Sequence, residues 1–195
     1  MTLSVKVLRP DALHAALSDL AALRISVFQD WPYLYDGDAG YEERYLERFA
    51  EAPGAILVTT WDGDHMVGAA TGAPLGEHDA AFAEPIAAAG FDPARVFYCA
   101  ESVLLKPYRG QGMGHRFFDL REAHARALGF EFSAFCAVIR QSDHPARPQS
   151  YRALDSFWRE RGYAALDGAI AKYDWRDVGA PRETTKRMQV WIRSL

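Results

Sequence analysis

Residues 96–140 constrain this chain more than any other stretch. An apolar run, VFYCAESVLLK, passes through RGQGMG (109–114) into an amphipathic pattern, HRFFDLREAHARALG, and that leads into a second apolar run, FEFSAFCAVIR. Strand, glycine loop, helix and strand in that order make a crossover unit, which sets two strands parallel and lays a helix on the sheet. Just upstream, AILVTTWDG and HMVGAATGAPL meet at the turn DGDH and read as an antiparallel hairpin. A sheet containing both units is mixed, and the fold class is α/β.

The rest of the chain supplies elements around that unit. LSVKVLR (3–9) alternates as a strand, closed by Pro10-Asp11. A helix follows over 11–28, with Asp11 as its N-cap and Leu13, Leu17, Leu20 and Leu23/Ile25 at helical spacing. Residues 29–40, QDWPYLYDGDAG, form a loop dense in aromatics and acids. Residues 41–52 form a short helix ended by Pro53-Gly54, and 79–90 form an alanine-rich helix. SYRALDSFWRERG (150–162) is a further helix, and AIAKYDWRDV and KRMQVWIRSL are closing strands. No repeat or linker divides the 195 residues, so one domain over 1–195 is expected, large enough for a sizeable core.

Composition excludes several classes. With 49 % apolar and 25 % charged residues, the chain has the make-up of a soluble globular protein. A net charge of -4 supplies no basic stripe, so no nucleic-acid partner is expected. No apolar run approaches the roughly 18–20 residues of a membrane span, and no signal core precedes Pro10-Asp11. No membrane association is expected, and the cytoplasm is the default location. Cys99 and Cys136 cannot build a disulfide framework; each lies in an apolar run and reads as a buried, reduced thiol.

The glycine loop points to an anion. Its spacing, G-x-G-x-G, is neither the G-x-x-x-x-G-K-S/T of a P-loop nor the G-x-G-x-x-G of a dinucleotide site. Glycines still leave amides uncovered, a helix beginning near Gly112 adds its dipole, and Arg109 offers bidentate contact with phosphate. Met113, Phe117, Leu120 and Leu128 would seat that helix on the sheet. A glycine-rich turn holding no ligand is the competing interpretation.

Three features together resemble one family. RGQGMG (109–114) is similar to the Q/R-x-x-G-x-G/A signature of the GNAT N-acetyltransferase superfamily. The preceding ESVLLKPYRG resembles that family's V-x-P-x-x-R-G lead-in, with the proline one place closer to the arginine. Downstream, ALDSFWRERGY resembles its second region, a helix ending in Gly-aromatic before the closing strands, and the element order fits throughout. The resemblance implies a mixed central sheet of about seven strands flanked by helices, with a splayed fourth and fifth strand at 95–106 and 130–140. It implies acetyl-CoA as cosubstrate, its pyrophosphate held by Arg109, Gly110, Gln111, Gly112, Met113 and Gly114. The pantetheine arm would pair with backbone groups of Val103, Leu104 and Leu105, where a backbone N–H would also polarise the acetyl carbonyl.

Transfer to an amine needs a base for the ammonium proton, and an acid helps the thiolate leave. Glu101, inside an apolar strand, is the candidate base, since burial disfavours its charged form. A structural Glu paired with an Arg, or one at the sheet's open end, is the alternative. The family often carries its acid four residues before the glycine of the second region, where this chain has Trp158, so Tyr151 or solvent is left for that role. Tyr151 could equally be a packing residue or a pantetheine contact. His144 lies in the loop QSDHPARP, and His115 and His124 are expected at the surface. Cys136 as an acyl-carrying thiol lacks a His-Asp partnership. No ligand spacing suggests a metal.

In the family, the link between the first two helices lines the acceptor site. Here it offers Trp31, Tyr33, Tyr35 and Asp36, with Asp38 and Tyr41 beyond, which suits a cationic amine; the same aromatics could instead pack on the core. Tyr173 and Trp175 alternate in a late strand and could add to one face. The expected activity is acetyl transfer to a primary amine of a small molecule. Acetylation of a protein N-terminus or lysine, and a non-catalytic acyl-CoA-sensing domain, are the alternatives. A homodimer is common among such proteins.

Overall fold

The computed structural model describes residues 3–8 and 10–195, the side chains of Pro10 and Asp11 excepted, so the expected cap at Asp11 lies outside the described residues. The strands are β1 (Ser4–Leu8), β2 (Ile56–Asp62), β3 (His65–Pro74), β4 (Val96–Tyr98), β5 (Ser102–Leu104), β6 (Phe132–Val138), β7 (Ala164–Trp175) and β8 (Thr184–Ser194). The helices are α1 (Pro10–Phe28), α2 (Ala39–Glu51), α3 (Ala80–Ala88), α4 (Met113–Ala127) and α5 (Asp155–Glu160). The strands join in one eight-stranded sheet, ordered β1-β2-β3-β4-β6-β8-β7, with β5 also on β3. The β4–β6 pair is parallel and the others are antiparallel, as the crossover and the hairpin require.

Two-residue periodicity divides the core. Leu57, Ala69, Ala73 and Val103 turn to α1 and α2, whereas their neighbours Ile56, Val58 and Ala70 turn to α4 with Phe97, Phe117 and Phe135. Both faces of β2 and β3 are covered, which is why those strands read as nearly continuous apolar runs. Tyr98, Cys136, Ala171 and Val190 form a third cluster with Ile86 of α3.

The expected strand over 95–106 is broken. Ala73 faces Tyr98 and Ala70 faces Ser102, so Thr71 and Gly72 stand opposite three residues, Cys99, Ala100 and Glu101. One extra residue makes a β-bulge, and it accounts for a sheet of eight strands where about seven were expected. The bulge also opens the sheet. β4 pairs with β6 from Val96–Phe132 to Tyr98–Ala134; beyond it β5 follows β3 while β6 follows β8, leaving a V-shaped gap.

Three other expectations change. Helix 150–162 shrinks to α5, so Tyr151 lies before the helix; its amide closes a turn on Pro148, and its ring sits against Trp31. α2 begins at Ala39, capped by the Asp38 carboxylate on the Tyr41 amide at 2.8 Å. Leu128, expected on the packed face of α4, is exposed; Phe117, Phe118, Arg121, Glu122 and Ala125 are the buried set.

Candidate active site

The three glycines of the loop have different reasons to be glycine. Gly110 and Gly112 have φ of +76° and +80°, where a side chain is strained, and nothing lies within 4 Å of where one would start. Gly114 instead makes room for Phe157, whose ring tip stands 3.3 Å from a hypothetical Cβ. The amides of residues 110 to 115 donate to no acceptor among the described residues, and Gly112 caps α4 without a side chain. Six N–H groups, two in the loop and four at the cap and first turn of the 15-residue α4, thus lack a partner among the described residues, an arrangement chemically able to hold an anion. Arg109 is exposed beside it, with its Nε on the Leu104 carbonyl at 2.9 Å.

The gap beyond the bulge has one polar wall. Leu105 donates to Val67, and Glu101 accepts from Thr71, so these residues face β3. By the alternation of an antiparallel ladder Val103 does likewise, and the backbone of Ser102 and Leu104 faces the gap. Of the three residues expected to line the pantetheine arm, Leu104 therefore offers its N–H, its carbonyl being held by Arg109, and the backbones of Val103 and Leu105 are turned to β3. A buried cation fixes this turn from the α4 side. Arg121 donates to the carbonyls of Thr71 and Glu101 at 3.0 and 2.9 Å and to Ser102 Oγ at 2.8 Å.

On the opposite face of the sheet lies a cavity of about 770 Å³, between α1, α2, α3 and the β7–β8 end. Glu101 is at its floor, in company the sequence did not reveal. Arg24, buried on α1, pairs with Glu101 and with the fully buried Glu42 of α2, the latter at 2.5 Å. The hydroxyl of Thr71 donates to the other Glu101 oxygen. Glu101 is thus an ion-paired carboxylate held on two sides rather than one alone among apolar groups. Two carboxylates thus share one guanidinium beneath the cavity.

Tyr33, Tyr35 and Asp36 line this cavity, as do Asp38, Tyr41, Tyr173 and Trp175, whereas Trp31 does not. The indole of Trp31 packs against His144 and Tyr151, with ring centroids 5.1 and 5.9 Å away. Asp36 pairs with Arg176 at 2.8 Å, and the Tyr41 and Tyr173 hydroxyls meet across the cavity at 3.0 Å. In all, eight carboxylates and three arginines line the space, a lining that favours cations. Burial pushes Tyr33 up to about 12 and lowers His78, which also lines the cavity, to about 4. At neutral pH Tyr33 keeps its proton and His78 is neutral.

The remaining candidates have structural roles. Trp158 lies in the core on the α4 side, with Phe135 and Trp191 at 5.0 and 5.1 Å, and does not line the cavity. Burial pushes the Cys136 thiol up to about 12, against any ready thiolate, and Cys99 is likewise buried and free. His124, partly buried, meets the Gly54 carbonyl at 2.9 Å, and His115 is exposed. Arg24, Glu42 and His78 escaped the sequence reading. A signal for two of them existed: Arg24 lies four residues after Leu20 on the buried side of α1, and Glu42 lies four before Leu46 on that of α2. Opposite charges on the apolar stripes of successive helices are a sign of a buried pair.

Comparison with protein families matches residues 20–148 to the description "Acetyltransferase (GNAT) family". No curated protein matches the chain in sequence. Among solved structures, ribosomal-protein-alanine N-acetyltransferase from Brucella melitensis is 13 % identical, with a TM-score of 0.62 over 98 % of this chain and 99 % of that one. PaiA N-acetyltransferase from Thermoplasma acidophilum, in complex with coenzyme A, is 10 % identical, with a TM-score of 0.55 over all of both chains. yncA from Salmonella typhimurium, with acetyl-CoA, is 10 % identical, with a TM-score of 0.60 over 100 % of this chain and 95 % of that one. At such identities the likeness speaks to the fold. Among the described residues, no helix is long and apolar enough to cross a membrane.

Proposed function

The chain belongs to the GNAT acetyltransferase family, and on that premise we propose that residues 1–195 act as one acetyl-CoA-dependent N-acetyltransferase domain whose acceptor is a primary amine of a small molecule. The observation that carries the cosubstrate half is the row of six unpartnered amides behind two left-handed glycines. Those amides and Arg109 would hold the pyrophosphate, with the gap-facing backbone of Ser102 and Leu104 along the pantetheine arm. When bound, acetyl-CoA supplies an activated thioester carbonyl. The N–H groups of Ser102 and Leu104 are the donors available to polarise it.

The acceptor half rests on the acidic, aromatic cavity with Glu101 at its floor. An ammonium entering there meets ring faces and a lining in which carboxylates outnumber arginines. Glu101 is the group we assign to take its proton, freeing the amine to attack. Arg24 and Thr71 keep that carboxylate in one orientation.

The test is thiol release from acetyl-CoA over a panel of primary amines, with peptides bearing free N-termini as a second panel. Turnover with small amines, reduced about 10²-fold or more in Glu101→Gln, is the expected result. Tight acetyl-CoA binding without turnover on either panel would make this a sensing domain instead.

A further inference from the structure

The acid expected from the family pattern is absent: Trp158 occupies that place and is packed in the core, and Tyr151 rests on Trp31 outside the cavity. We propose that Tyr33 supplies what they do not, donating its hydroxyl hydrogen bond to the sulfur as it departs. This rests on the acetyl-transfer function above.

The loop carrying Tyr33 is strung across the splayed strands. On one side Lys106, just after β5, holds the Asp30 carboxylate at 3.0 Å. On the other, Arg140, two residues after β6, donates to the carbonyls of Pro32, at 2.8 Å, and Tyr33. Arg140 is itself fixed by two 2.8 Å bonds to Asp177, and Trp175 Nε1 adds a third donor to the loop, 3.1 Å from the Tyr33 carbonyl. Loop 30–33 thus bridges the ends of the two strands that diverge. The Tyr33 ring, 4.6 Å from Phe28, packs against both the core under α1 and α2 and the core of β4, β6 and β8. It therefore spans the gap at the cavity.

The charged and titratable groups around it come from every side: Arg24 from α1, Cys136 from β6, Tyr98 from β4 and Tyr151 from the loop before α5. Arg24 is also the residue that holds Glu101, and it packs on Phe28, the ring that Tyr33 meets. The Tyr33 hydroxyl has no hydrogen-bond partner among the described residues, and the residue lines the cavity. Burial raises it to about 12, so it holds its proton more firmly than a thiol does and acts by donating a hydrogen bond.

The ammonium first gives one proton to Glu101, which passes it through cavity water to bulk solvent; the neutral amine nitrogen then bonds to the acetyl carbon and the carbon–sulfur bond breaks. The nitrogen's second proton passes to Glu101, and the sulfur leaves as a thiolate accepting from Tyr33 O–H. Water in the cavity returns the proton from Glu101 to the sulfur, giving CoA thiol and the amide.

The test compares Tyr33→Phe, which keeps the ring packing, with Tyr151→Phe and wild type. A donor to the sulfur favours its charged form, so CoA bound to wild type should show thiolate ultraviolet absorbance at lower pH, by about one unit, than CoA bound to Tyr33→Phe. With a turned-over amine, kcat should fall about 10²-fold in Tyr33→Phe while KM for the amine stays within about 3-fold. Tyr151→Phe should change neither. Equal thiol titrations in wild type and Tyr33→Phe, with kcat preserved, overturn the role of Tyr33 and leave the function standing. A wild type that binds no CoA overturns both.

Discussion

Replacing Arg24 by Met should cost more stability than almost any other single change in this chain. The guanidinium side chain is 8 % exposed and serves two carboxylates, Glu42 at 0 % and Glu101 at 10 % exposure. Met keeps the length and the packing on Phe28 and Tyr45, whose rings lie 5.2 and 4.6 Å from the guanidinium. What is lost is the charge, leaving two buried anions without a counter-ion. Breaking a buried pair from one side costs about 3–5 kcal/mol, a large part of the roughly 5–15 kcal/mol that holds a domain folded. Urea unfolding followed by tryptophan fluorescence measures this, with the slope checked for a change in cooperativity. The double variant Arg24→Met/Glu42→Gln strands one carboxylate fewer and should recover at least about 1 kcal/mol. An Arg24→Met protein within about 1 kcal/mol of wild type, or a double variant no better than the single, would refute the buried trio.

Gly112→Ala places a Cβ in open space at φ +80°, so the cost is conformational, roughly 1–2 kcal/mol by the same unfolding assay, with no steric addition. His78 gives stability a pH dependence. Folding lowers it from 6.5 to about 4, so between those values the unfolded chain binds a proton that the folded chain does not. Stability is then full above pH ~6.5 and falls as pH drops through about 4, by up to about 3 kcal/mol, a slope that His78→Phe should flatten.

The crossover unit and the hairpin were legible because periodicity and glycine placement are local properties, and they carry the mixed sheet. The loop of residues 109–114 was legible for the same reason: left-handed backbone favours glycine, and two of its three glycines adopt it. The bulge was not, because it depends on how 99–101 match Thr71 and Gly72 on another strand, and VFYCAESVLLK by itself reads as one strand. Nor was the length of α5, where the Trp31 ring, over a hundred residues away, sits against Tyr151 just before the helix begins. Glu101 was visible as a charge in an apolar run, but its partner is set by the packing of α1 on β3. The same tertiary arrangement leaves Trp31 outside the cavity while Tyr33 and Tyr35, two and four residues later, line it.

Calorimetric titration of the purified protein with CoA and with acetyl-CoA, repeated on Arg109→Glu and Gly112→Asp, tests the central claim most directly. Binding in the micromolar range by wild type, lost in both variants while they remain folded, is the predicted result: each substitution brings a negative charge to the amide cradle. A well-folded wild type that takes up neither compound, or variants that bind as tightly as wild type, would contradict it and leave the glycine loop a turn without a ligand.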